Sequence, residues 1–382
     1  PVDPGYIGPQ FFDEQEQRAL REVMDAGSPF RYWGPGKPVK VRQFEEEFAR
    51  HHGAAHALGV TSGSAALKVA LEAMGVGPGD EVIVPAFTFI ATYEAVLEAG
   101  AIPVAADIDA SLNLDPDDIA RKMTPYTKAV IPVHMCGAPA DIGRILEAAR
   151  VLQLMVLEDN AQSCGGSFQG KKLGTFGEMG IFSLDYYKTL TTGEGGMILT
   201  DRKDLYDRAD WYHDHGHDHN PKVSRAMEGR TILGFNYRMN ELQGALGLAQ
   251  IRKLDFIVAE QRKNKAAVKE ILAGVPGIGF RAIPDPAGDT ANHLAFNLPT
   301  AAQAEAFQAA LGQGGVDTVC FQKNKWHYLA NWEHLIAWST ANPKSFPFTN
   351  PIYRGKVDYG IRQYPQAHEL LGRTLFLGIP IR

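Results

Sequence analysis

The chain has 382 residues, 45% of them hydrophobic, which suits two domains or one large α/β unit with a smaller appendage. Its net charge is −6 and its Lys and Arg residues are scattered rather than clustered, so no nucleic acid or anionic membrane partner is expected. Cys136, Cys164 and Cys320 are odd in number and lack paired metal spacing, which reads as free thiols in a reducing cytoplasm.

No apolar run reaches membrane-spanning length and no charged-then-apolar leader opens the chain. The first residue is Pro1 rather than Met, which implies a longer translated product. In chain order, "EVIVPAF" (81–87), "IPVAADI" (102–108), "KAVIPVH" (128–134) and "LMVLED" (154–159) are short apolar runs rich in β-branched residues and read as buried strands. Helical patterns lie among them at "SAALKVALEAMG" (64–75), "IATYEAVLEAG" (90–100) and "ADIGRILEAARVL" (140–152). Such alternation predicts a mostly parallel sheet flanked by helices, whose ligands bind at the carboxyl ends of the strands. "GIFSL" (180–184) and "GGMILTD" (195–201) read as a hairpin. From Met239 one long helix is expected, bridging to a smaller α+β region with Pro-rich joints. No internal repeat or low-complexity tract is visible.

Three strand-end motifs carry chemistry. In "TSGSAAL" (61–67) small residues meet a helix start, whose free N–H groups and positive dipole end suit a phosphate; the plainer alternative is a helix cap. In "VLEDNAQ" (156–162) Glu158 and Asp159 end a buried strand, where a carboxylate is costly without a cationic partner; alternatively it caps the next segment. In "FSLDYYKTLTTGEGG" (182–196) Lys188 follows Ser183 in a Thr- and Gly-rich turn. A desolvated lysine loses its proton readily and attacks aldehydes, whereas most lysines are simply solvated. A phosphate cradle, then an Asp, then a Lys is the set that pyridoxal 5'-phosphate requires: a phosphate anchor, an anion for the ring nitrogen and an amine for the aldehyde.

"EVIVPAFTFIAT", "LEDNAQSCGGSFQGKKLGTFGEMGIFSL", "KTLTTGEGGMILT" and "GFNYRMNELQGALGLAQIRKLD" resemble the DegT/DnrJ/EryC1/StrS sugar aminotransferases over residues 5–270. The resemblance implies the aspartate aminotransferase-like fold, that of the fold type I pyridoxal phosphate enzymes. It implies a large cofactor-binding domain over 1–250, a small α+β domain over 251–382, glutamate as amino donor and an oxidised sugar as acceptor. Carried over, Lys188 bonds the cofactor, Asp159 pairs with the ring nitrogen and Gln162 lies near the ring oxygen. Phe89 stacks on the ring, and Gly63, Ser64 and Ser183 hold the phosphate. Asn236 reaches the phosphate from the partner subunit, which implies a homodimer with shared active sites. Lys188 argues against the family's dehydratase branch, which has histidine there.

"HMCG", "DHGHDH", "QRKNKAA", "IPDPAGD" and "WHYLANWEHL" resemble the branch of the family that aminates 8-oxo-Kdo, an acidic eight-carbon sugar. This makes Trp326, His327 and Tyr328 candidate sugar contacts, with small-domain packing as the alternative. The segment 346–366 has no counterpart in that pattern, and the chain stops at "TLFLGIPIR" where relatives continue with a further helix.

"HDHGHDH" (213–219) holds four of the twelve histidines. On a strand this spacing would align all four imidazoles on one side for a metal. Gly216 and the aspartates break strand character, so no metal is expected. The favoured reading is a polar loop at the mouth of the site, where His215 and His217 hydrogen-bond the sugar and Arg238 receives its carboxylate; a plain solvated loop is the rival.

Overall fold

The computed structural model describes residues 7–381. Its main sheet contains β1 (His56–Val60), β2 (Glu81–Pro85), β3 (Ile102–Ala106), β4 (Thr127–Val130) and β5 (Met155–Asp159). A short hairpin, β6 (Ser167–Phe168) and β7 (Lys171–Lys172), precedes the last main-sheet strands, β8 (Met179–Ser183) and β9 (Gly196–Thr200). The seven main strands lie in the order β1-β9-β8-β5-β4-β2-β3. All neighbouring pairs are parallel except those of β9, which runs antiparallel to both β1 and β8. The expected hairpin is therefore present, with Ser183 opposite Gly196.

Most main-sheet strand residues are buried because helices cover both faces, so these strands read as continuous apolar runs rather than alternating ones. The helix Gly63–Ala73 is apolar nearly all round and sits inside the largest core cluster. On another face, helix Lys40–His52 packs closely on helix Glu241–Ile251. A Cβ on Gly247 would fall 2.3 Å from the Phe44 ring, so only glycine permits that approach. The single long helix expected after Met239 is instead two, Glu241–Ile251 and Leu254–Ala273, broken at Arg252 and Lys253. Lys253 Nζ there reaches Glu16 at 2.7 Å and Asp13 at 3.0 Å, contacts that the helical periodicity does not contain.

A second sheet follows, three-stranded and antiparallel: β10 (Gly279–Phe280), β11 (His293–Asn297) and β12 (Thr374–Gly378). Leu294, Phe296 and Leu375 pack there with Ala304 of helix Ala301–Gln313. Residues 346–366 wrap the β2–β3 edge. Tyr353 Oη donates to Glu81 Oε1 at 2.6 Å, and Tyr359 Oη donates to the Pro103 carbonyl at 2.8 Å on edge strand β3. No helix among the described residues is long and apolar enough to cross a membrane.

Candidate active site

Four parallel strands bring their carboxyl ends together. After β1 comes Ser62, whose hydroxyl caps the next helix by accepting from Ala65 N at 3.0 Å. Gly63 opens that helix, and a Cβ there would lie 2.7 Å from Ser183 Cβ at the end of β8. Glycine is thus needed where the two strand ends meet. Ser64 is exposed on the first turn of the helix, where the leading N–H groups have no partner within the helix itself.

The loop after β2 carries Thr88 and Phe89, and Thr92 follows in the first turn of helix Ala91–Glu98. An extended segment lies along it: Thr88 N donates to His327 O and Ile90 N to Trp326 O, both at 3.1 Å, and Phe87 bridges Tyr328. His327 thereby lies against Phe89, ring centroids 5.4 Å apart. Burial and the nearby Lys188 and His293 push the His327 imidazole down to about 3, so it is neutral. Trp326 is exposed, whereas Tyr328 is buried and hydrogen-bonds His368 Nδ1 at 3.0 Å. Of the aromatic trio, His327 faces the region of Lys188 and Tyr328 serves packing.

Glu158 and Asp159 end β5 pointing opposite ways. Glu158 accepts three backbone N–H groups, from Gly174, Phe176 and Gly177, at 2.6–2.9 Å. Asp159 accepts from Ala161 N and Thr92 Oγ1, both at 3.0 Å, and is 3% exposed. Burial raises its carboxyl above the ordinary range, while those hydrogen bonds and the charges of Lys188 and His134 oppose the rise. No ion pair is made to Asp159 among the described residues. Gln162 Oε1 accepts from Cys136 N at 2.9 Å.

Lys188 lies in the loop joining β8 to β9. Burial pushes its ammonium below the ordinary lysine value, against Asp185 and Asp159, which favour the charge. Among the described residues its Nζ makes no hydrogen bond. A half-buried amine whose proton is loosened by desolvation, near a buried carboxylate without an ion-pair partner among the described residues, is a reactive pair.

Sequence reasoning missed Thr92 and Cys136. The Thr-x3-Thr spacing of Thr88 and Thr92, at a strand-to-helix junction, is the signal that would have found Thr92, since both hydroxyls meet at 2.8 Å. Cys136 has no such signal: its backbone, at φ 53°, rather than its thiol, addresses Gln162.

The histidine stretch is neither a strand nor an open loop. His213 ends helix Lys203–His213, and His215, Gly216 and His219 all have positive φ, which scatters the imidazoles. His213 is buried, with Nδ1 donating to Asp210 O at 2.5 Å and Nε2 accepting from Tyr32 Oη at 3.0 Å. His215 is exposed. His217 is buried, with Nδ1 2.5 Å from Glu228 Oε2. Arg238 Nη1 donates to Asp214 at 2.6 Å, so its guanidinium is engaged within the chain. Among the described residues no group of three His, Cys, Asp or Glu side chains is arranged to hold a metal ion.

A model of the DegT/DnrJ/EryC1/StrS aminotransferase family matches residues 10–375. The chain belongs to that family. It is 38% identical over 270 residues to the 3-amino-5-hydroxybenzoate synthase of Amycolatopsis mediterranei, covering 70% of this chain and 68% of that one. With the GDP-perosamine synthase of Caulobacter vibrioides it shares 43% identity over 252 residues, 66% of this chain and 65% of the other. It superposes on the E. coli GDP-4-keto-6-deoxy-D-mannose-3-dehydratase with bound hydrated PLP at a TM-score of 0.82 and 26% identity, over 99% of this chain and 96% of that one. The fold is that of the type I pyridoxal phosphate enzymes, and the family uses that cofactor. The residues present fit it: a glycine-lined helix start for a phosphate, a buried carboxylate without an ion-pair partner among the described residues for a protonated ring nitrogen, and a half-buried, desolvated amine for an aldehyde.

Proposed function

We propose that this protein moves an amino group from glutamate to the carbonyl carbon of an oxidised sugar. The observation that carries the reading is the convergence of the half-buried Lys188 and the buried Asp159, both lacking, among the described residues, a partner of opposite charge in hydrogen-bond contact. Gly63, Ser64 and Ser183 would hold the cofactor phosphate, Phe89 would cover the ring, Asp159 would hold the ring nitrogen and Gln162 would lie beside the ring oxygen. When bound, the cofactor supplies an aldehyde that takes up amines and a ring that withdraws electrons from the adjacent carbon. Lys188 Nζ, whose proton is loosened by desolvation, would take the proton from the donor's α-carbon and deliver it across to the cofactor's aldehyde carbon within the same half-reaction, and would run that shuttle in reverse with the acceptor. Thr92 donates to Asp159, which favours its charged form against burial and would fix it toward the ring. Asn236, exposed on a segment where Leu233 is 95% and Phe235 62% exposed, would complete the site of a second subunit in a homodimer. The large and small domains are assigned to residues 1–250 and 251–382.

For the acceptor, the stretches "DHGHDH" and "WHYLANWEHL" support 8-oxo-Kdo, which would place the enzyme in lipopolysaccharide sugar synthesis. His327, neutral and facing the site, is the strongest candidate sugar contact. A keto nucleotide sugar or keto-cyclitol is the second reading, favoured by relatives that include GDP-perosamine synthase and L-glutamine:2-deoxy-scyllo-inosose aminotransferase. Both are tested by treating the cofactor-loaded protein with glutamate, which should bleach its near-visible absorbance, then adding candidate acceptors. Restoration by an oxidised sugar supports the reading; failure of glutamate and of any other amino donor to bleach the cofactor overturns it.

A further inference from the structure

His219 occupies an unusual place. Its Nδ1 donates to Asp210 Oδ2 at 2.7 Å and its Nε2 to Asp214 Oδ2 at 2.8 Å, so the ring is an imidazolium holding two carboxylates together. Tyr32 stacks on it at 4.5 Å. Asp214 is fully buried, and its other oxygen takes Arg225 Nη2 at 2.7 Å and Arg238 Nη1 at 2.6 Å. The cluster thus ties helix Lys203–His213, the turn after it, and residues 225 and 238 into one polar knot.

That knot borders Asn236. Asp214 and Asn236 face each other across an antiparallel bridge. On either side of it, His215 N donates to Phe235 O at 3.0 Å and Tyr237 N to His213 O at 2.9 Å. Beyond Asn236, Thr61 N donates to Tyr237 O at 3.0 Å and Val60 bridges Arg238. The same short segment therefore joins the helix start at Ser62 and Gly63 to the exposed Asn236 side chain.

We propose that His219 is a positioning residue for Asn236: by clamping Asp210 to Asp214 it fixes the segment 235–238, and so tunes cofactor binding in the partner subunit rather than in its own. This rests on the reading that Asn236 completes the other subunit's site. Geometry there is set by a side chain on an exposed segment, so a small displacement is costly.

The test uses His219→Asn, because His219 sits at φ 49° and asparagine accepts that left-handed conformation while losing the double pairing. Asp210→Asn is the second variant, weakening one arm of the clamp while Asp214 keeps both arginines. Asp218→Asn, exposed in the same loop, is the control. Differently tagged subunits are co-expressed, heterodimers purified, and pyridoxal 5'-phosphate retention after dialysis measured beside turnover. His219→Asn homodimers should bind the cofactor on the order of tenfold more weakly, the factor for one mispositioned charge-assisted contact. Heterodimers of His219→Asn with Lys188→Ala should regain one tight, active site, as heterodimers of Asn236→Ala with Lys188→Ala should. Wild-type cofactor affinity in both clamp variants overturns the proposal. So does recovery with Asn236→Ala but not with His219→Asn, which leaves the shared site standing. Recovery with neither removes the shared site and the proposal with it. If His219→Asn does not fold, Asp210→Asn is read by the same outcomes.

Discussion

Thr92 Oγ1 donates to Asp159 Oδ2 at 3.0 Å, and among the described residues it is the one side-chain hydroxyl that reaches this carboxylate. Thr92 stands just after the turn that follows β2 and Asp159 at the end of β5, so the bond crosses from one strand end to another. Burial raises the Asp159 carboxyl above its ordinary value; the Ala161 N–H and the Thr92 hydroxyl oppose that rise. Thr92→Val keeps the shape and deletes the donor. We expect the cofactor Kd to rise roughly 10- to 150-fold, since a hydrogen bond to a charged group contributes about 1.5–3 kcal/mol. Equilibrium binding of pyridoxal phosphate measures it, and an unchanged Kd would show that Asp159 needs no help from Thr92.

Lys188→Ala should lower kcat by about three orders of magnitude or more, because proton transfer by a placed base contributes roughly 10²–10⁴-fold and the amine's bond to the cofactor is lost as well. The phosphate and ring contacts remain, so the variant should still bind the cofactor. Single-turnover measurement with glutamate checks this; turnover at the wild-type rate would remove Lys188 from the chemistry.

The strands of the main sheet and the order cradle, Asp, Lys were readable because each functional residue stands at or just beyond the end of an apolar strand, and a parallel sheet sends those ends to one side. Three features were hidden for physical reasons. The break at Arg252 and Lys253 lies inside an unbroken helical periodicity, and the contacts of Lys253 with Glu16 come from a residue far away in the chain. The histidines alternate in sequence, yet left-handed backbone at His215, Gly216 and His219 sends them to different partners. Residues 346–366 show no period because they are held by tyrosine hydroxyls, such as Tyr353 on Glu81, rather than by a regular element.

The neighbours Glu158 and Asp159 should separate cleanly in experiment. Glu158→Gln replaces an acceptor of three backbone N–H groups with an amide that can satisfy fewer of them, at a cost of about 1–3 kcal/mol for each buried group left unpaired. We expect a lower Tm with near-normal kcat per folded molecule. Asp159→Asn should do the reverse, sparing Tm and cutting kcat, because it removes the charge that would stabilise the ring nitrogen. Thermal unfolding and active-site titration of the two variants side by side decide this. A collapse of kcat in fully folded Glu158→Gln would mean that both carboxylates serve the reaction.

His219 makes stability depend on pH in a definite direction. Burial disfavours its charge, but the hydrogen bonds to Asp210 and Asp214 outweigh burial and lift the imidazole from 6.5 to about 9. A value raised on folding means that the contribution is fully present below pH 6.5 and is lost as pH rises through about 9. At its largest it is about 3 kcal/mol, because each pH unit between the folded and unfolded values contributes roughly 1.4 kcal/mol. The groups facing the ring are Asp210, Asp214, His213, His217 and Tyr32, with Arg225 and Arg238 behind Asp214; burial raises the Tyr32 hydroxyl well above this window. The thiols of Cys136 and Cys164, pushed up to about 12 by burial, do not titrate within it either. The wild type should therefore lose stability between pH 6.5 and about 9 relative to His219→Asn, and the two denaturation curves should converge at the alkaline end. Chemical denaturation of both proteins across that range measures the gap. A gap that stays constant with pH would mean that His219 is not charged in the folded protein.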